Sequence, residues 1–196
     1  MTSSYHHGDL RAALLDAASG VLATEGVAAL TLRGLAARVG VSRTAPYRHF
    51  ADKGALLEAV AADGFDRLQA AVHAARASGA DTPEAFVSLA QTYVRFALQH
   101  PAHYRLMYGR EAISRRQRPA LQDAADALYD ELVAALTEAQ AAGVVRPGDP
   151  APLASVAWAQ VHGLAMLLVE GQMEAPDDAM ALTEMAARSL LGGLAP

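Results

Sequence analysis

The chain of 196 residues contains no cysteine. That excludes a disulfide framework and a thiolate metal site, and it fits a reducing cytoplasm. Aromatic residues are scarce, at 6%, while 53% of the chain is hydrophobic and much of that is alanine. Alanine costs least in a helix, so an all-α protein is expected. Strand-like alternation and internal repeats are missing. Residues 1–8 are polar and lack the apolar run of a signal peptide. There is no G-x-S-x-G, no phosphate-cradling glycine loop and no cysteine nucleophile, so neither catalysis nor a cofactor is expected. His73, His100, His103 and His162 have no carboxylates placed beside them in sequence and are read as capping and packing residues, not metal ligands. Residues 150–169 carry no charge and are long enough to span a membrane. Pro150, Pro152, Ser155, Gln160, His162 and Gly163 interrupt them, however, and a helix apolar all round is usually core or interface, so no membrane contact is expected.

What is present is punctuation. Leu10, Leu14, Ala17, Ala18 and Val21 form one face of a first helix, with Gly26 as its stop. Thr31 caps a second helix, whose apolar side is Leu32, Leu35, Ala36 and Val39. Gly40 makes a turn, Ser42 caps a third helix, and Asp52 caps a fourth with Leu56, Leu57, Val60, Phe65 and Leu68 inward. Thr82-Pro83-Glu84 combines a cap, a first-position proline and an acid in the first turn, which starts a helix to about Gln99. Pro101 opens a short helix to near Gly109, and residues 110–118 read as a solvated basic loop. Pro119 opens a helix stopped by Gly143. Asp149-Pro150 opens the uncharged helix, stopped by Gly171, and Pro176 begins a last one to about Leu191. The linker around Ser78–Thr82 suggests two parts, 1–70 and 71–196.

Charge is unevenly distributed. Residues 28–53 hold Arg33, Arg38, Arg43, Arg48 and Lys53 against Asp52 alone, a local +4 in a chain of net −5. Phosphate is the natural partner of such a patch. Within it, Val-Gly-Val-Ser-Arg-Thr-Ala-Pro-Tyr-Arg-His-Phe-Ala-Asp-Lys at 39–53 reads as the turn and second helix of a helix-turn-helix, which presents that helix to a DNA groove. Arg43 can pair bidentately with guanine, and Thr44 can bond a base edge or touch a thymine methyl. Tyr47 suits a phosphate oxygen. Lys53, the single lysine, would lie in a helix first turn where backbone N–H groups favour phosphate. Thr31 can offer hydroxyl and backbone N–H; Arg33 and Arg48 suit the sugar-phosphate backbone. Ser42, Ala45 and His49 complete the candidate surface, together with Pro46, which lacks a helical N–H and could meet a thymine methyl.

Tyr5-His6-His7-Gly8-Asp9-Leu10, this helix-turn-helix, and Tyr47-Arg48-His49-Phe50 followed by Lys53 resemble the tetracycline-repressor (TetR) family of bacterial regulators over residues 8–68. Trp158 with His162-Gly163, and Ala45-Pro46-Tyr47, are similar to its "WHG" branch. The resemblance implies an all-α cytoplasmic homodimer: a three-helix helix-turn-helix module joined to a C-terminal ligand-binding and dimerisation domain. It implies a repressor that binds double-stranded DNA at a palindromic operator and is released by a small-molecule effector. The last two helices would pair across the dimer. Tyr93, Phe96, Tyr104, Met107, Tyr108, Trp158, His162 and Met166 are the candidate pocket lining, since ligand pockets have apolar walls and few polar groups. Two rival readings remain: a helical enzyme or ligand carrier, which would have no DNA affinity, and an architectural bundle, whose C-terminal core would be collapsed.

Overall fold

In a computed structural model the described residues are 10–77, 82–108, 119–173 and 178–194, and they contain helices and no strand. The order is α1 (Leu10–Ala29), α2 (Leu32–Val39), a 3-10 helix (Ala45–Arg48), α3 (Lys53–Ala77), α4 (Pro83–Gln99), α5 (Pro101–Tyr108), α6 (Pro119–Ala141), α7 (Pro150–Val169) and α8 (Ala179–Leu194). Among them two compact units form, one of residues 10–64 with 102–108 and the other of the remainder. The continuous helix α3 therefore gives its first half to one unit and its second half to the other.

In the first unit Leu14, Leu22, Leu30, Leu35, Phe50, Leu56 and Val60 are buried. Gly26 is where the sequence placed the stop of α1: its φ of 78° and ψ of 175° break the helix in a region that only glycine occupies without strain. Helix α5 belongs to this unit. His103 Nε2 shares a 3.0 Å hydrogen bond with Ser19 Oγ. Met107 packs so closely on Gly64 that a Cβ there would come within 2.7 Å of its Sδ.

The second unit has a core of Phe86, Val87, Leu136, Ala139, Val145, Ala154, Ala157, Ala187, Leu191 and Leu194. Helix α4 lies against α7 and α8, and α6 against α7. The expected caps are present: Ala85 N–H donates to Thr82 Oγ1 at 3.2 Å, and Ala151 N–H to Asp149 Oδ1 at 3.0 Å. The last helix differs from expectation. It starts at Ala179, because Asp178 Oδ1 accepts from Met180 N–H (2.9 Å) and Ala181 N–H (3.0 Å), and it runs to Leu194; Pro176 lies outside the described residues. Helices α1 and α7 are long and apolar enough to cross a membrane by length and composition. Each nevertheless carries a buried face in its own unit, with Leu14, Ala18 and Val21 on α1 and Ala154, Ala157, Ala165 and Leu168 on α7.

Arg76, on the second half of α3, is paired with Glu131 and with Glu138, the latter at 2.7 Å, both on α6. Burial works against its charge, but the hydrogen bonds to Glu138 and Glu131 outweigh that cost and raise its pKa.

Candidate nucleic-acid interface

The first unit presents the 39–53 segment on a fixed support. Thr31 is extended (φ −139°, ψ 143°), and its Oγ1 accepts from Gly34 N–H at 3.0 Å, which starts α2. That bond uses an acceptor lone pair and leaves the hydroxyl proton free to donate outward. Gly40 ends α2 in the left-handed conformation (φ 77°, ψ 31°), and Val41 N–H then donates to Ala36 O at 3.0 Å. This closure turns the chain sharply into the next element.

That element is not the Ser42-capped α-helix expected from sequence. It is a four-residue 3-10 helix. Ala45 N–H donates to Ser42 O (3.0 Å), Tyr47 N–H to Thr44 O (3.2 Å) and His49 N–H to Pro46 O (3.0 Å), all i to i−3. Pro46 is the reason. Without an N–H it cannot make the bond to Ser42 O that a continuing α-helix needs. Ser42 consequently caps nothing through its side chain, and its Oγ lies 3.3 Å from Thr44 Oγ1.

Burial within the segment sorts the candidates. Ser42, Arg43, Thr44, Arg48 and His49 are exposed, and Tyr47 is 47% exposed although it is a large aromatic residue. Ala45 is half-buried, and Pro46 and Phe50 are buried. The expectation that Pro46 offers an outer surface to a thymine methyl is thus corrected: the ring that interrupts the helix also anchors the segment inward. Arg33, on α2, is exposed.

Two cations behave differently from expectation. Lys53 does start α3, where Asp52 Oδ1 accepts from Ala55 N–H at 2.8 Å. Its ammonium, however, turns back and donates to Val27 O at 2.7 Å, with Ala28 O at 3.5 Å. It closes the turn after Gly26 instead of standing free for phosphate. Arg38 pairs with Glu25, an acid just outside the stretch that defines the basic patch, so counting that acid reduces the patch from +4 to +3. The sequence reading missed Arg11. It is exposed on α1, and its guanidinium lies 5.9 Å from the centre of the Phe50 ring, within cation–π range. Nothing in local periodicity connects residues this far apart.

Three of the candidate pocket residues belong to the first unit and five to the second. Tyr104, Met107 and Tyr108 pack in the first unit, because α5 folds back onto it. Tyr104 and Met107 are fully buried, and the Tyr104 and Tyr108 rings are 5.2 Å apart. Tyr93, Phe96, Trp158, His162 and Met166 lie in the second unit. There Tyr93 Oη and His162 Nδ1 share a 3.0 Å hydrogen bond, Trp158 stacks on His162 at 5.1 Å, and Tyr129 meets Trp158 edge-on at 6.5 Å. Tyr129 Oη is itself tied to Ser155 Oγ (2.7 Å) and Ala151 O (2.9 Å). The second unit also contains a cavity of about 340 Å³ lined by Arg67, Ala71, Thr92, Arg95, Phe96, Gln99 and His100. Phe96 is the one candidate that lines it. The basic stretch 110–118 and the Tyr5–Asp9 motif lie outside the described residues.

Comparison with known proteins gives a consistent result. Residues 14–60 match the family model for bacterial regulatory proteins of the tetR family. Residues 86–190 match the model for the tetracyclin repressor-like C-terminal domain. A protein of unknown function from Rhodococcus sp. RHA1 is 40% identical, with 100% of both chains covered and a TM-score of 0.87. The TetR family transcriptional regulator PfmR from Thermus thermophilus is 22% identical over 93% of this chain and 99% of its own, with a TM-score of 0.70. The fatty acid degradation regulator FadR from Bacillus halodurans is 17% identical over 93% and 98%, with a TM-score of 0.76. The last two likenesses concern the fold alone. A search of curated proteins gave no match.

Proposed function

Because the chain belongs to the tetR family of bacterial regulatory proteins, it is a DNA-binding transcriptional regulator, and we propose that it acts as a homodimeric repressor, held on a palindromic operator and released by a small-molecule effector. DNA binding is assigned to residues up to about 70, and effector binding and dimerisation to 71–196. The observation that carries the reading is the exposed row Arg43, Thr44, Tyr47, Arg48 and His49, set on buried Pro46 and Phe50. Arg43 and Thr44 read base edges. Tyr47, Arg48, His49, Arg33 and the free hydroxyl proton of Thr31 hold the phosphate and sugar backbone. Lys53 acts from behind, as a brace.

Dimerisation is supported by the outer faces of α7 and α8. Val156 is 54% exposed, Leu167 37% and Met185 65%, and Ala159 and Gly163 lie on the same face of α7 as the first two. Two such helices from each protomer make a four-helix contact, self-complementary about a twofold axis. The effector is placed in the second unit, and a regulatory role without catalysis in the cytoplasm follows from the same reading. Ligand binding would favour a dimer whose two recognition segments misfit the operator.

The test is selection of duplexes from a random pool, followed by titration of the selected site at several salt concentrations. Palindromic sites with half-site centres about 34–36 Å apart, two protomers per site, and affinity falling steeply with salt are expected. A salt-insensitive complex, or one protomer per site only, overturns the reading.

A further inference from the structure

One exposed cation of the first unit, Arg11, stands outside the recognition segment. It is the second residue of α1, whose first turn holds no acid. A positive charge there faces the positive end of the helix dipole, so the helix itself gains nothing from it. Among the described residues no carboxylate pairs with it. Its guanidinium lies instead over the Phe50 ring, 5.9 Å from the centre. Phe50 is 3% exposed and anchors the end of the recognition segment. The ring of His49, an exposed member of that segment, is 6.4 Å from the same Phe50 ring. No more than about 12 Å can therefore separate the Arg11 guanidinium from the His49 ring, and the major groove is about that wide.

We propose that Arg11 is a further DNA contact, holding a backbone phosphate at the edge of the groove that the recognition segment enters, with Phe50 as the platform that positions its guanidinium. The proposal rests on the DNA-binding reading above and adds to it a residue of α1, ahead of the helix-turn-helix. The attraction of a cation to an aromatic ring uses no N–H donor, so the donors of the guanidinium remain for phosphate oxygens. Arginine can meet a phosphate bidentately, which a lysine ammonium cannot. The platform also reduces the cost of binding. A side chain already drawn to Phe50 loses less freedom on meeting the duplex than one loose in solvent. Stability alone is a weak reason for the arrangement, because a cation–π contact at an exposed site is small. A phosphate contact, which also releases counterions from the duplex, returns more. Such a contact conveys no sequence. It fixes the register and orientation of the protein, with α1 gripping the backbone beside the segment that reads the bases.

The experiment compares the full chain with Arg11→Met, Arg11→Gln and Arg11→Lys, on the selected operator and on an unrelated duplex, between about 50 and 200 mM salt. Met and Gln both remove the charge but pack differently on Phe50, while Lys keeps the charge. For Met and Gln alike, the slope of log affinity against log salt should be shallower by about 0.9 for each protomer, so that over this range a wild-type dimer loses about tenfold more affinity than either variant. Operator and unrelated duplex should weaken by the same factor, with the selected motif unchanged. Arg11→Lys should restore most of the slope. A wild-type slope in both neutral variants overturns the proposal, whatever their melting temperatures, and leaves Arg11 a packing residue. A changed motif also overturns it, because the residue would then read bases. Wild type without salt-dependent affinity for DNA removes the DNA-binding reading and this proposal together, whereas a salt-dependent wild type with indifferent variants removes Arg11 alone.

Discussion

Lys53→Met separates two roles that the sequence alone cannot distinguish. The substitution keeps the aliphatic stem and removes the ammonium that donates to Val27 O at 2.7 Å. A hydrogen bond from a charged group contributes about 1.5–3 kcal/mol net, and this partly buried one belongs at the low end, because water can replace part of it. A second effect has the opposite sign. Lys53 is the first residue of α3, where a positive charge faces the positive end of the helix dipole, so its removal returns about 0.3–1 kcal/mol. The net loss is then about 1 kcal/mol, or roughly 2–4 °C in melting temperature for a chain of this size. The variant should also keep the salt dependence of operator binding, because the amine is engaged with the protein. Were Lys53 a phosphate contact, the slope of log affinity against log salt would become shallower by about 0.9 for each protomer. Thermal melts followed by circular dichroism, and anisotropy titrations with a labelled operator at several salt concentrations, measure both quantities. An unchanged melting temperature together with a shallower salt slope refutes the brace and restores the phosphate grip.

Other expectations follow from the same structure. Arg43→Ala and Thr44→Ala should relax base preference at defined operator positions by about 1–3 kcal/mol, while Tyr47→Phe weakens all sequences alike; binding motifs selected by each variant decide this, and a changed motif with Tyr47→Phe alone reverses the assignment. Arg76→Met leaves Glu131 and Glu138 without their cation at a side chain only 15% exposed, and should cost about 2 kcal/mol, or roughly 4–8 °C, in a thermal melt. Since the raised pKa of Arg76 only strengthens a charge already present, the clamp should hold from neutral to mildly alkaline pH, and a loss of stability near pH 9 traced to Arg76→Met cycles would count against it. Gly26→Ala forces a side chain into a conformation reserved for glycine and should destabilise by about 1–3 kcal/mol, whereas Gly20→Ala, in open helical space, should stabilise by about 0.5–1 kcal/mol; equal effects in chemical denaturation would deny the break in α1. An effector seated beside the stacked Trp158–His162 pair should shift the emission of this single tryptophan over the range that releases DNA, and full release with unchanged emission places it away from that pair.

The parts legible in sequence were those decided within a few residues. Thr31, Gly40, Asp52, Thr82 and Asp149 each announced a helix end because a cap acts two or three positions away, and the structure forms every one. Contacts that close over longer stretches could not be read. Lys53 reaches back 26 residues to Val27, Arg38 finds Glu25, and Arg11 comes over Phe50. Helix α5 was correctly bounded, yet the contacts of His103 with Ser19 and of Met107 with Gly64 join distant stretches of chain and could not be read. The cavity beside Phe96 escaped notice for a related reason. Periodicity tracks apolar positions, whereas most of this lining comes from polar positions on two helices. Pro46 lay between these cases: its missing N–H was visible, but its burial depended on the fold.

The two inward anchors of the recognition segment also bear on how such a protein changes its target. Pro46 and Phe50 hold the backbone in place, and the residues between and before them face outward with few duties to the core. Folding and reading are thus allotted to different side chains within ten positions. Outward residues can be exchanged, by evolution or by a designer, while the support persists, so one scaffold can be retargeted to new operators by a handful of substitutions at 43, 44, 47, 48 and 49. The same separation implies that a peptide of residues 39–53 removed from its support would keep the alphabet and lose the page on which it is written.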